Sequence, residues 1–315
     1  MRLSIATLIS TGLIAATSLF QVASATAQIA RPKITGISHL AVYASDMKVT
    51  DHFYADLIGA ARMTDPEDPK GARYMLSPTQ FIEVLPLPAN AGINRMDHTA
   101  FNTDSASGML HYLNSKGWKT PTTLVHESDG SVSFRVLDPE KNLIEFVQPP
   151  AKAAAAEAPK APGHHIIHVG FLVHSRANED KFYLDLLGFR PYWFGGMKDD
   201  KIDWVSLQTP DSHDWLEYMV SGDPATLGIP PTMSQQTLGV LDHFSIGVVS
   251  VPESFKKLSA ENRLTFKNDG HTQIGRDGKY QFNMYDPDGI RLELMEFHAT
   301  EKPCCSPFTA TDPAE

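Results

Sequence analysis

Cysteine is almost missing from this chain. Its 315 residues include two, Cys304 and Cys305, and these are adjacent. Neighbouring cysteines cannot staple distant parts of a fold, which excludes a disulfide-framed domain and leaves the core to hold by packing. Their segment, "EKPCCSPFTATDPAE", reads as a flexible tail; a vicinal disulfide, a partner contact or a metal contact are the other roles open to the pair. Positive charge is also short. Lys and Arg number 27 against 37 Asp and Glu, and no basic cluster is present to neutralise phosphates, so nucleic acid is not an expected partner. Long apolar runs are confined to the first residues, and none beyond residue 30 approaches transmembrane length.

That first run, residues 3–20, is interrupted by Ser4, Thr7, Ser10, Thr11, Thr17 and Ser18 and is barely long enough to span a bilayer. It leads into "QVASATAQIA", where Ala25-Thr26-Ala27 has the small-x-small pattern of a signal-peptidase site before Gln28. The expectation is a signal peptide over 1–27, with an uncleaved anchor as the competing reading. The mature protein would then be soluble and exported, periplasmic or extracellular.

What is present in quantity is repetition. Residues 149–163, "PPAKAAAAEAPKAPG", are Ala/Pro-rich without an amphipathic period and form a linker between two halves, 34–148 and 164–298, ahead of a tail at 299–315. "FYADLIG" at 53–59 matches "FYLDLLG" at 182–188, and "DGSVSFRVLDPEKNLIEF" at 129–146 aligns without a gap with "DGKYQFNMYDPDGIRLEL" at 277–294. "MDHTAFNT" and "LDHFSIGV" mark a further unit in each half, so the chain holds four modules. Each begins with an alternating strand at a histidine: "HLAVYA", "HTAFNT", "HVGFLV" and "HFSIGV". An amphipathic helix follows, marked by Phe53, Tyr54 and Leu57; Met109, Leu110 and Leu113; Phe182, Tyr183 and Leu186; and Phe255 and Leu258. Gly59 and Gly188 fall where a left-handed cap would end the helix. Short strands ending in "FIEVLPL", "LIEFVQ", "WLEYMV" and "RLELMEF" close each unit, so the pattern is βαβββ four times over.

The opening strand of every module carries a His and the closing strand a Glu. The pairs are His39/Glu83, His98/Glu145, His168/Glu217 and His243/Glu293, separated by 44, 47, 49 and 50 residues. Packing within a strand asks for neither residue. Each Glu is flanked by apolar residues, as in Leu292-Glu293-Leu294, and burying such a carboxylate is costly unless it is paired or binds a metal. Period-two alternation turns the apolar flanks towards the helices and the Glu into the hollow of the sheet. His52, His111, His165 and His174 lie outside the pattern and read as surface or supporting residues.

The βαβββ modules, the strand-opening His, the "FY…LG" helix and the "DPDGIRLEL" ending resemble the vicinal oxygen chelate superfamily, which includes glyoxalase I, extradiol dioxygenases, methylmalonyl-CoA epimerase and bleomycin-resistance proteins. The resemblance implies an α+β fold in which modules pair into two cupped, barrel-like mixed sheets. It implies metal ligands at His168, Glu217, His243 and Glu293, with His39, Glu83, His98 and Glu145 as the counterpart set. Such donors suit Fe(II), Mn(II), Co(II), Ni(II) or Zn(II). The implied partner is a small molecule with adjacent oxygens, with no membrane once the leader is removed, and the protein would be a monomer or homodimer.

Three functions follow from that resemblance. The first is glyoxalase- or epimerase-type proton transfer by Glu217 or Glu293. The second is extradiol ring cleavage with Fe(II) and O2. That chemistry expects a tyrosine where Asn283 stands, so that Tyr280 or Tyr285 would have to substitute, with His271 as acid or base. The third is non-catalytic binding of a small molecule. The Pro/Gly-rich segment 221–240 is a candidate lid or a plain crossover. Trp193, Phe194, Trp204 and Trp215 suit either a pocket for a flat substrate or the core.

Overall fold

The computed structural model describes residues 29–152, 160–221 and 238–315. The expected leader, the centre of the linker and most of the 221–240 crossover lie outside the described residues. The first module runs from β1 (Ile34–Ala44) through α1 (Met47–Asp51), continued by a π-helical turn (His52–Ile58), to β2 (Ala61–Thr64), β3 (Ala72–Ser77) and β4 (Gln80–Pro86). The second runs through β5 (Met96–Thr103), α2 (Ala106–Ser115), β6 (Val125–His126), β7 (Val132–Leu137) and β8 (Leu143–Gln148). The third has β9 (His165–Val173), α3 (Arg176–Asp180) with its π-helical turn (Lys181–Leu186), β10 (Arg190–Gly195), β11 (Trp204–Gln208) and β12 (Trp215–Val220). The fourth has β13 (Leu241–Val248), α4 (Val251–Ala260), β14 (Gln273–Ile274), β15 (Tyr280–Tyr285) and β16 (Arg291–Glu296). The expected βαβββ unit is therefore present four times.

Local chemistry places the helices. Asp46, Ser105 and Ser250 each accept backbone N–H groups of the turn that follows, which satisfies donors left open at a helix start. Gly59 ends its helix at φ +83°, in the left-handed region that a Cβ disfavours. The marker residues Phe53, Tyr54, Leu57, Met109, Leu110, Leu113, Phe182, Tyr183 and Leu258 are buried against the sheets. Each such side chain contributes roughly 1.5–3 kcal/mol relative to remaining in water.

Modules 1 and 2 share one eight-stranded sheet, ordered β2-β3-β4-β1-β5-β8-β7-β6, and modules 3 and 4 share the other, ordered β10-β11-β12-β9-β13-β16-β15-β14. The central strands of each sheet are thus the opening and closing strands of its two modules, which carry the His and Glu residues. The histidines are not the first residues of their strands, as the sequence had suggested. The antiparallel ladder between β1 and β5 runs from Ile34 opposite Thr103 to Val42 opposite Met96, which carries the strand back beyond His39.

The repeated motifs also hold the halves together. Tyr54 of module 1 donates to Asp286 of module 4 at 3.2 Å, and Tyr183 of module 3 donates to Asp138 of module 2 at 3.2 Å. The Tyr of "FYxDLxG" and the Asp of "Asp-Pro" recur because each copy reaches across to the other half. Gln80 and Asp214 make a similar exchange. Gln80 Oε1 accepts from Ile166 N at 2.9 Å, and Asp214 Oδ2 accepts from Ile37 N at 2.8 Å.

Residues 299–315, read from sequence as a flexible tail, lie against the second sheet. Ser306 Oγ accepts from Phe194 N, Thr309 Oγ1 donates to Pro191 O, and Asp312 pairs with the buried Lys279 at 3.0 Å. Such anchors are single side chains without periodicity, so no sequence pattern announces them. Cys304 and Cys305 are joined as a vicinal disulfide and offer no free thiolate to a metal. Among the described residues, no helix is long and apolar enough to cross a membrane.

Burial pushes the Asp286 carboxyl up to about 7, from an unfolded value near 4. Its folded form holds a proton that the unfolded chain releases between those values, so this group lowers stability as pH rises from about 4 to about 7. Relative to wild type, Asp286→Asn is expected to gain stability across that window and to show a constant difference above it, measured by denaturant unfolding at a series of pH values. Tyr54→Phe is expected to cost about 1 kcal/mol, the usual net worth of one buried hydrogen bond.

Candidate metal centres

The four central strands β12, β9, β13 and β16 each contribute one donor to the second cup: Glu217, His168, His243 and Glu293. Register sets them facing one point. Glu217 and His243 both lie opposite Gly170 of β9, and Ser245 of β13 lies opposite both His168 and Glu293. Gly170 is required here, since a Cβ would stand 2.4 Å from the His243 ring. The Nε2 atoms of His168 and His243 are 2.7 Å apart. Glu217 lies 3.4 Å from His243, and Glu293 lies 3.5 Å from His168 and 4.0 Å from His243. Bonds of about 2.1 Å to one ion would put adjacent donors about 3 Å apart and opposite donors about 4.2 Å apart. The donor set fits a divalent cation in chemistry and in scale.

Surrounding groups prepare these ligands. Asp242 accepts from His243 Nδ1 at 2.8 Å, which directs the Nε2 lone pair inwards, and Asp242 itself pairs with Arg291. Burial, followed by the charge of His243, holds His168 well below the usual imidazole range and therefore neutral. Burial and Arg291 oppose charge on His243, but the hydrogen bonds with Asp242 and Glu217 prevail and raise it to about 9. Without an ion, a proton on His243 neutralises part of the cluster. Trp215 stacks on the His168 ring at 4.6 Å, and the ammonium of Lys279 lies 5.1 Å from the Trp215 ring.

The first cup repeats this arrangement. Its His39 and His98 Nε2 atoms are 2.8 Å apart, Glu145 is 2.9 Å from His98 and 3.4 Å from His39, and Glu83 is 3.7 and 4.0 Å from the same two atoms. Asp97 accepts from His98 Nδ1 at 2.7 Å, as Asp242 does from His243. Phe81 stacks on His39 at 4.4 Å with the Arg73 guanidinium 4.5 Å from the Phe81 ring, the counterpart of the Lys279–Trp215–His168 stack.

The surroundings of the two cups differ. The second opens onto a cavity of about 360 Å³ lined by Trp193, Trp204, Trp215, Phe308, Arg276 and the donors Glu217, His243 and Glu293. Three of the four aromatics expected for a pocket or the core line this cavity, and Trp193 and Trp215 also pack into a core cluster; Phe194 points outwards. His271 is exposed, bonds the carbonyl of Asp269 and does not line the cavity. Asn283 is buried and donates to Asp269. His52, His165 and His174 pair with Asp56, Asp214 and Glu140 away from both clusters.

Residues 36–146 match the family model of the Glyoxalase/Bleomycin resistance protein/Dioxygenase superfamily. The first half is a domain of that superfamily, and the second repeats its pair of βαβββ modules strand for strand. Among solved structures, the Mn(II)-bound glyoxalase from Novosphingobium aromaticivorans aligns at a TM-score of 0.64 with 18% identity, covering 87% of this chain and 86% of that one. A catechol 2,3-dioxygenase aligns at 0.61 with 17% identity, over 86% and 95% of the two chains. The 2,3-dioxygenase LapB from Pseudomonas sp. KL28 aligns at 0.62 with 15% identity, over 87% and 97%. At these identities the likeness establishes the fold. A search of curated proteins found no match.

Asp97 and Asp242 escaped the reading of the sequence, although "MDH" and "LDH" repeat at the right places. A carboxylate that orients a ligating imidazole typically changes metal affinity 10- to 100-fold when removed. Asp242→Asn is therefore expected to weaken Co2+ binding at the second cup by about that factor, measured by chelator competition, with the fold unchanged by circular dichroism.

Proposed function

We propose that the protein is a divalent-metal-dependent enzyme of glyoxalase or epimerase type, a lyase or isomerase that moves a proton on a small substrate chelated through adjacent oxygens. One observation carries this reading. Of the four donors in the second cup, Glu217 alone has appreciable side-chain exposure, 13% against 1–5% for the others, and it lines the cavity. A carboxylate at that position is accessible both to an ion and to substrate, and can take a proton from carbon and return it at the neighbouring carbon.

His168, His243 and Glu293 would hold the ion and Glu217 would complete the set. A bound divalent ion would supply Lewis-acid stabilisation of negative charge developing on substrate oxygen. Ser206 donates to Glu217 at 3.3 Å and limits its swing. The tryptophans offer flat walls to an apolar or planar substrate, and Arg276, which is paired with Asp199, forms part of the cavity wall.

The runner-up is extradiol ring cleavage, supported by the dioxygenases among the structural neighbours and by the tryptophan-lined cavity. Against it, the only histidine lining the cavity among the described residues is the ligand position His243, and the Tyr192 hydroxyl is engaged by Asp312 and Lys279. We also place the protein outside the cytoplasm. The leader-like residues 1–27 support this, as does a disulfide, which persists in oxidising compartments.

The test uses Mn2+-loaded protein with simple hydroxyketones and, separately, catechols. Solvent deuterium is expected at the carbon next to the carbonyl, by NMR, and Glu217→Gln is expected to lose about 100-fold or more of that exchange. Catechol-dependent oxygen uptake that survives Glu217→Ala would establish ring cleavage instead. Failure to bind metal under any loading condition would leave only the binding-protein reading.

A further inference from the structure

The first cup has the four donors, but among the described residues none of them lines the cavities that flank the two sheets. Across β3–β4, Arg73 lies opposite Glu83, and across β7–β8, Arg135 lies opposite Glu145. In the second cup those two places belong to Ser206 and Asn283. Arg73 bonds Glu67 at 2.8 Å and Asp129 at 2.9 Å and lies 3.3 Å from Asp65. Arg135 bonds Glu67 at 2.5 Å and reaches Glu145 at 3.5 Å and Asp97 at 3.8 Å. Glu67 thus ties the two guanidinium groups together over the cup. Glu67, Asp65, Asp129 and Asp97 offset part of the charge of the arginines, which still opposes positive charge on His39 and His98.

Below this cover the donors are at most 1% exposed, and both Glu83 oxygens lack a hydrogen-bond partner, whereas Glu145 Oε2 faces His98 Nε2 at 2.9 Å. Buried carboxylates without partners cost several kcal/mol each unless a cation compensates them. Closed four-donor sites of this kind hold structural ions, whereas catalytic sites keep a position open to substrate. We propose that the first cup is a second metal site, sealed from substrate by the Arg73–Glu67–Arg135 cover, whose ion stabilises the fold and takes no part in turnover. The proposal shares donor chemistry with the active site proposed above and is independent of its reaction.

The test uses the full chain with Co2+ alone. Wild type is expected to retain about two ions per chain after desalting, and His98→Ala and His243→Ala about one each. Release into excess EDTA is expected in two phases, with the slow one lost in His98→Ala. Arg135→Asn, which copies the residue of the second cup, is expected to speed the slow phase about tenfold or more. The melting temperature of His243→Ala should still rise with Co2+. Should His98→Ala fail to fold, Glu83→Gln gives the same comparison, because it removes ligand charge with little change of shape.

One ion per chain in wild type, kept by His98→Ala and lost in His243→Ala, would overturn the proposal and leave a proton-bridged first cup. One ion kept by His243→Ala and lost in His98→Ala would sustain it and remove the proposed active site. Two ions released together in one fast phase would overturn the closure.

Discussion

In each cup two imidazole nitrogens face each other at 2.7–2.8 Å within a ring of carboxylates. Two ring nitrogens at hydrogen-bonding distance, beside carboxylates that water barely reaches, favour a cation between them, whether a proton or a metal ion. The fold is arranged to bring about this meeting. Parallel pairing of each opening strand with its closing strand, and antiparallel pairing of the two opening strands, set four donors on four adjacent strands. The helices are buried against the apolar side chains that alternate with them.

Duplication preserved that frame and varied what surrounds it. Both cups keep an aspartate on the second histidine and an aromatic ring on the first, with a cation 4.5–5.1 Å from that ring. The cation has different tasks in the two halves. Arg73 reaches over its own cup and helps close it, whereas Lys279 lies behind Trp215 and binds the C-terminal tail through Asp312. Where the first cup has Arg73 and Arg135, the second has Ser206 and Asn283, and the space released is bounded by tryptophans and Phe308 of the tail. One half is thereby built for retention and the other for access.

Much of this was legible in the residues, because the relevant signals are periodic or repeated. The His–Glu spacing identified all eight cluster residues, apolar flanks showed which way each Glu faces, and Gly59 marked its helix end. Other features were legible only in part. The Asp-Pro motif recurs because its Asp receives a tyrosine from the opposite half, a contact between residues more than 40 positions apart that no local pattern reveals. Arg135 aligned with Asn283 is visible in the ungapped comparison, but its effect depends on Glu67, which comes from a loop. The tail offered no periodicity, and its anchors emerge only when Lys279 is found buried. His271 attracted notice as a spare histidine, but a short loop turns it to solvent.

Diffraction from crystals soaked in Mn2+, with anomalous data collected above and below the metal edge, tests the central claim most directly. The account predicts a peak at bonding distance, about 2.0–2.3 Å, from His168, Glu217, His243 and Glu293. A saturated soak with no peak in that cup would contradict it.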